Sequence, residues 1–337
     1  MNLNLLKLKE LSAKIGKDSN LVQSSGGNTS IKENGVLWIK ASGKKLRDAL
    51  NKNIFVALDL EKLKIKFSDP KYEENFDKEK LCGSNLKSSV ETSLHALMPY
   101  SVVLHTHPID IIALSTMSNS REKIAKLLQG IDWKWVPYNR PGKPLSLEVN
   151  KIFSSSIRNI PKVLILANHG LVVGEDTIEK AEELQKNVID RLRLIPRKIN
   201  SPNHRKLIKI INSIPNSRLP KAEVVHTLGN DNWSFKLAQQ NPLYPDHIVF
   251  CGDKPWIIEE PNLTIKNKSY GIIKNVGLIL CDNANSSVEE MLVAQAETLL
   301  RIPVNKKVNF LSNKDCNELI NWDAEKYRQN LILKDST

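Results

Sequence analysis

The sequence has no apolar run that approaches the roughly 20 residues needed to cross a bilayer, which argues against a helical membrane protein. Its opening stretch, residues 1–10, is too short and too interrupted by charge for a signal peptide, and is expected to form the first turns of an amphipathic helix. Cysteine is scarce. Cys82, Cys251, Cys281 and Cys316 lie far apart with no C-x-x-C pair, which suits a reducing cytoplasm better than a disulfide framework. No dinucleotide fingerprint is present, because Gly26-Gly27 does not fit G-x-G-x-x-G after a strand. No nucleic-acid-binding motif occurs either, although the formal net charge is +12. The lysines are scattered along the whole chain, and the densest basic stretch, Arg191 to Lys209, is mixed with prolines and aliphatics. The charge is therefore read as spread over solvated faces, where a local basic bias would also attract an anionic substrate such as a phosphate ester.

What is present is an ordinary soluble composition: 337 residues, 41% hydrophobic and 26% charged, enough for one large domain or two medium ones. Helix signals fall at 3–16, 88–97, 109–118, 146–158 and 175–194. Strand signals fall at 35–40, 54–58, 63–67, 101–107, 162–167 and 171–174. A polar stretch at 68–85 reads as a loop, as does the proline-rich segment 136–142. Strands and helices alternate irregularly with short hairpin-like links. That favours an α/β fold with a mixed or antiparallel sheet between helices over a doubly wound parallel fold. Residues 1–195 are expected to form the main domain and 196–222 a linker, with its four prolines between Pro196 and Pro220. Residues 223–337 are expected to form a smaller α/β region, with strands at 246–251 and 276–281 and helices at 287–301 and 313–331. The strand-then-helix order at 276–301 mimics that at 163–194, but the residue identities favour a common supersecondary unit over a repeat.

The chemistry-bearing residues cluster. His105 and His107 close a strand; residues i and i+2 of a strand point to one side, so both imidazoles can reach one metal ion. His169 follows the apolar run Val163 to Ala167 and precedes Gly170, which can place it at a sheet edge. Three neutral imidazoles suit Zn²⁺ and leave positions open for a substrate. Glu91, on the preceding helix, is the acid available as a base, and His95, four residues on, shares its face as a core or supporting histidine. Two small-residue turns, Gln23 to Ser30 and Ala41 to Lys44, flank one strand and could cradle an anion.

At these residues the chain resembles the class II aldolase/adducin family, the zinc-dependent fuculose- and rhamnulose-phosphate aldolases and their relatives. Six separated segments carry the resemblance: 25–30, 40–43, 89–92, 105–108, 136–138 and 167–170. Segments 242–247 and 321–328 are similar to the long rhamnulose-phosphate type, some members of which carry a dehydrogenase domain. The resemblance therefore does not imply a dehydrogenase activity here. The resemblance implies a three-layer α/β/α sandwich with a mainly antiparallel sheet. It implies Zn²⁺, or another divalent metal, on His105, His107 and His169, with Glu91 completing the resting coordination and then acting as acid/base. It implies substrate phosphate on Gly27, Asn28, Ser42, Gly43 and Ser89. It implies Tyr138 reaching a neighbouring subunit's site in a homo-tetramer to protonate the nascent alkoxide. The expected activity is cleavage of a ketose 1-phosphate to dihydroxyacetone phosphate and an aldehyde, in the cytoplasm, with no nucleic-acid or membrane partner. A pentulose-phosphate 4-epimerase, a sugar-phosphate dehydratase or decarboxylase, and a non-catalytic adducin-like scaffold are the alternatives.

Overall fold

A computed structural model of the chain describes residues 3–81, 83–155, 160–198, 201–259 and 268–334. Cys82 and the end of the helix expected at 146–158 lie outside them. The chain divides into two compact units: residues 1–115 with 119–193, and residues 116–118 with 194–337.

The first unit runs α1 (Leu3–Lys17), β1 (Asn28–Glu33), β2 (Val36–Lys40), β3 (Phe55–Asp59), α2 (Leu60–Ser68), α3 (Thr92–Leu97), β4 (Val102–Thr106), α4 (Ile109–Thr116), α5 (Ser120–Leu127), β5 (Trp133–Val136), α6 (Lys143–Ser154), β6 (Val163–Leu166), β7 (Gly170–Glu175) and α7 (Ile178–Arg191). Its seven strands form one sheet in the order β3-β2-β1-β4-β7-β6-β5. Every pairing is antiparallel except β5 with β6. Helices cover both faces. Leu8, Leu11 and Ile15 of α1 and Ile178 and Ala181 of α7 pack with Ile31, Val102 and Leu104 on one face. Leu94 of α3 and Leu145, Val149 and Phe153 of α6 pack with Val103, Leu164, Leu166 and Val172 on the other. This is the expected three-layer α/β/α sandwich with a mainly antiparallel sheet. The alternation along β4 sorts its side chains between the two layers: Val103 and His105 face α3 and α6, whereas Val102 and Leu104 face α1 and α7.

The second unit holds a four-stranded sheet, β8 (Ser217–Arg218), β9 (Trp256–Ile258), β10 (Tyr270–Ile273) and β11 (Gly277–Cys281), in the order β8-β11-β10-β9. Helices Ser286–Arg301, Asn313–Asn321 and Asp323–Lys334 follow β11. The expected linker at 196–222 holds a helix, His204–Ser213, whose Leu207 and Ile210 are buried. Apolar residues at i and i+3 within that basic stretch give it a face to bury, so it packs as part of the unit.

Two expected strands are helices. The alternation at 63–67 hides a helical pattern: Leu60, Leu63 and Phe67 pack inward while Ile65 is 72% exposed. Asp59 accepts hydrogen bonds from the Glu61 and Lys62 N–H groups and so starts α2 by capping it. The β-rich run 246–251 is likewise helix Pro245–Cys251, opened by a proline at its first position. The helix expected at 88–97 begins only at Thr92, because Ser88 pairs with Ala41 in a β-bridge.

Candidate metal centre

Three local devices bring the histidines together. β4 delivers His105. His107 lies just beyond the strand, where its backbone N–H donates to the Leu21 carbonyl at 2.8 Å and fixes the strand's exit. The turn before β7 delivers His169: Asn168 sits in the left-handed region (φ 52°) and the His169 N–H donates to the Leu166 carbonyl at 3.2 Å. Gly170 makes the approach possible. A Cβ there would lie 2.4 Å from the Thr106 carbonyl oxygen and 3.1 Å from His107 Cδ2, so β7 could not pass this close to the end of β4 with any side chain at that position.

All three imidazoles are buried, and one ring nitrogen from each lies within 4.8 Å of the others. His105 Nδ1 is 3.0 Å from the Leu171 carbonyl oxygen. A carbonyl only accepts, so Nδ1 carries the proton and Nε2 is left with its lone pair pointing inward. That Nε2 is 3.0 Å from His107 Nε2. Glu91 adds its carboxylate, Oε2 at 3.2 Å from His105 Nε2 and Oε1 at 3.7 Å from His169 Nε2. Convergent lone pairs and a carboxylate repel one another unless a cation lies between them. A zinc ion bonded to nitrogen at about 2.0–2.1 Å with tetrahedral angles spaces its ligands roughly 3.3 Å apart, close to the separations seen here. The donor set therefore fits a divalent metal.

Glu91 is the N-cap of α3 rather than a residue within it. Its face is set by β1. Asn28 and Ser30 alternate on one side of that strand; Asn28 Nδ2 donates to Glu91 Oε2 at 2.8 Å, and Ser30 Oγ lies 2.7 Å from His95 Nδ1. Helical spacing of four on α3 thus meets strand spacing of two on β1, and His95 is a buried, supporting histidine. Burial raises the Glu91 pKa, but protonated His105 and His169, the Asn28 amide and protonated His107 together overcome it and hold the carboxyl at about 2; with neutral imidazoles that counter-charge falls to a bound cation. Glu91 is ionised at neutral pH, and Oε1 accepts no hydrogen bond. Burial pushes His95 down to about 3, so it stays neutral.

Of the residues expected to hold phosphate, Asn28, Ser89 and Gly27 lie against this centre. Ser89 Oγ accepts from Asn28 Nδ2 and from the Glu91 N–H, both at 3.2 Å. Gly27 is in the left-handed region (φ 62°), and a Cβ there would lie 2.9 Å from the His105 carbonyl oxygen. Gly43 is also left-handed (φ 74°), and the Ser42 N–H donates to the Lys87 carbonyl, holding the second turn beside the Ser89 segment. Lys40 was not singled out from the sequence. It is only 2% exposed, and its ammonium donates to the carbonyls of Ser25 (2.7 Å) and Lys44 (2.8 Å), one in each turn. Its position at the end of an alternating strand gave no sign of burial. Tyr138 lies on the half-buried loop after β5.

Residues 7–190 match the family model "Class II Aldolase and Adducin N-terminal domain". A Bacillus subtilis (strain 168) protein named "Uncharacterized oxidoreductase YuxG" is 34% identical over 191 residues, spanning 52% of this chain and 27% of its own length. The chain thus spans about a quarter of that relative. A solved N-terminal class II aldolase domain from Thermoplasma acidophilum is 27% identical, covering 57% of this chain and 93% of its own, with a TM-score of 0.49. An L-fuculose-1-phosphate aldolase from Thermus thermophilus is 16% identical, covering 55% and 92%, with a TM-score of 0.38. Among the described residues no helix is long and apolar enough to cross a membrane.

Proposed function

The chain belongs to the class II aldolase and adducin family, and from that premise we propose that it is a metal-dependent sugar-phosphate aldolase. It cleaves a ketose 1-phosphate to dihydroxyacetone phosphate and an aldehyde. The observation that carries this reading is the convergence of three buried histidine nitrogens on an ionised glutamate whose one oxygen is anchored and whose other accepts no hydrogen bond. A zinc ion, or another divalent cation, on His105, His107 and His169 would supply the positive charge that stabilises an oxyanion next to a carbon losing its proton.

The chain's own residues do the rest. Asn28 fixes Glu91 Oε2, which leaves Oε1 to take a proton from the substrate carbon and return it. Gly27, Asn28, Ser42, Gly43 and Ser89 hold the phosphate in the cradle formed by the two turns, whose buried Lys40 adds a fixed positive charge. In cleavage Tyr138, from a neighbouring subunit of a homo-tetramer, is assigned the C4 hydroxyl proton, which it takes up as the C3–C4 bond breaks and C4 becomes the aldehyde, while Glu91 delivers a proton to C3 of the enediolate; condensation runs the same transfers in reverse. The test is a panel of ketose phosphates given to zinc-loaded protein. Released dihydroxyacetone phosphate is the expected result. Inversion at C4 without cleavage, or loss of water or carbon dioxide, would refute the aldolase assignment in favour of another reaction at the same centre.

A further inference from the structure

Residues 204–301 repeat the strand order of residues 92–191, with a helix before the first strand and after the last in each. In the first pass α3 leads to β4, α4, α5, β5, α6, β6, β7 and α7; α6, between β5 and β6, has no counterpart among the described residues between β9 and β10. In the second, helix His204–Ser213 leads to β8, two short helical turns (Glu223–His226 and Thr227–Asn230), helix Asn232–Ala238, β9, β10, β11 and helix Ser286–Arg301. The additional helix Pro245–Cys251 is inserted before β9. Within the larger sheet the matching strands stand in the order β4-β7-β6-β5, and the smaller sheet has β8-β11-β10-β9. The directions agree pair by pair. β4 with β7 and β8 with β11 are antiparallel, as are β7 with β6 and β11 with β10. β6 with β5 and β10 with β9 are parallel.

The register agrees residue by residue. Adding 107 to the pairs Leu166↔Gly170, Ile165↔Leu171, Leu164↔Val172 and Val163↔Val173 gives Ile273↔Gly277, Ile272↔Leu278, Gly271↔Ile279 and Tyr270↔Leu280, which are the pairs of the second hairpin. The turns agree too. Asn168 and Asn275 are both left-handed, at φ 52° and 60°. His169 donates to the Leu166 carbonyl and Val276 to the Ile273 carbonyl, at 3.2 and 3.1 Å. Asn168-His169-Gly170-Leu171 thus corresponds to Asn275-Val276-Gly277-Leu278. The cores correspond as well: Val136, Leu166 and Val172 share one cluster, and Ile258, Ile273 and Ile279 share its counterpart. A generic strand-helix unit explains the order of two elements. It does not explain four strands in the same order, directions and hairpin register, so the sequence-based preference for a common unit gives way.

We infer that residues 204–301 are a degenerate second copy of the 92–191 half of the aldolase-family unit, one that has lost its metal site and carries no metal chemistry of its own. Val276 stands where His169 stands, and it is buried among Leu207, Ile210 and Ile214 instead of facing other donors. Among the described residues no group of His, Cys, Asp and Glu side chains able to hold a metal occurs in 204–301. The second sheet also has no counterpart, among the described residues, of β1 to β3 and their glycine turns. The chain therefore contains this frame twice and the chemistry once.

The loss of the site rests on the metal reading of the first unit; the duplication does not, and two measurements separate them. A diffraction structure of the full chain decides the duplication. It is expected to show β9 parallel to β10 and β8 flanking β11; a different order or direction in that sheet would overturn it. Metal analysis after reconstitution with Zn²⁺ decides where the chemistry lies. Wild type and Val276→Ala are expected to hold one zinc ion per chain and His107→Ala none. A second ion in wild type, or one that persists in His107→Ala, would overturn the inert second copy. No zinc in wild type would sink the metal reading of the first unit and leave the duplication to the diffraction result.

Discussion

Glu91→Gln isolates proton transfer from everything else the site does. In the wild type, Asn28 Nδ2 donates to Oε2 at 2.8 Å and Oε1 accepts no hydrogen bond. Glutamine is the same shape. Its carbonyl oxygen can take over the Asn28 bond, which puts its NH₂ group where Oε1 stood. An amide nitrogen there donates but cannot accept a proton. The anchoring bond becomes neutral instead of charge-assisted, a loss of about 1 kcal/mol that leaves the fold intact. Loss of a positioned general acid/base costs roughly 10²- to 10⁴-fold in rate, about 3–5 kcal/mol in the barrier. The three histidines are untouched, so the metal content should stay at the wild-type value. The assay is turnover of the ketose 1-phosphate found in the screen, followed by coupled reduction of dihydroxyacetone phosphate, with zinc measured on the same sample. Wild-type turnover would refute the role given to Glu91. Loss of both zinc and turnover would refute it differently, by showing that the carboxylate is needed chiefly as a ligand.

Gly170→Ala places a Cβ 2.4 Å from the Thr106 carbonyl oxygen and 3.1 Å from His107 Cδ2, so strand and imidazole must both move. We expect about 1–3 kcal/mol of destabilisation by overpacking, read as a lower Tm, together with weakened zinc binding in competition with a chelator. Unchanged zinc affinity would show that the close passage of β7 does not set the site. His247 gives a pH dependence outside the site. Burial alone pushes it down to about 4 from an ordinary 6.5. Below 6.5 the unfolded chain takes up a proton that the folded chain refuses, so stability is fully present above that pH and is lost as pH falls towards 4. Between pH 7 and about pH 5 this amounts to about 2 kcal/mol. The Tm of His247→Gln should fall less over that range than the wild-type Tm. An equal fall in both would place the acid sensitivity elsewhere.

The sequence by itself determined the family and the layered α/β/α architecture, because both rest on short-range patterns. His105 and His107 share a strand face through a spacing of two, and His169 stands between an apolar run and Gly170. Alternation misled where a cap or a proline outweighed it, as Asp59 and Pro245 did in starting helices at 60–68 and 245–251. Only the tertiary structure decided how these segments meet. The pairing of Asn28 with His105 across β1 and β4 aims the amide at Glu91 and selects which carboxylate oxygen is held. The burial of Lys40 between two turns depends on carbonyls 15 residues before it and four after it. The second hairpin, whose residues differ from the first at most positions, shows its kinship in strand order, direction and register. Hydrogen-bond register and convergence are relations between distant segments, and a local pattern of apolar and polar residues does not encode them.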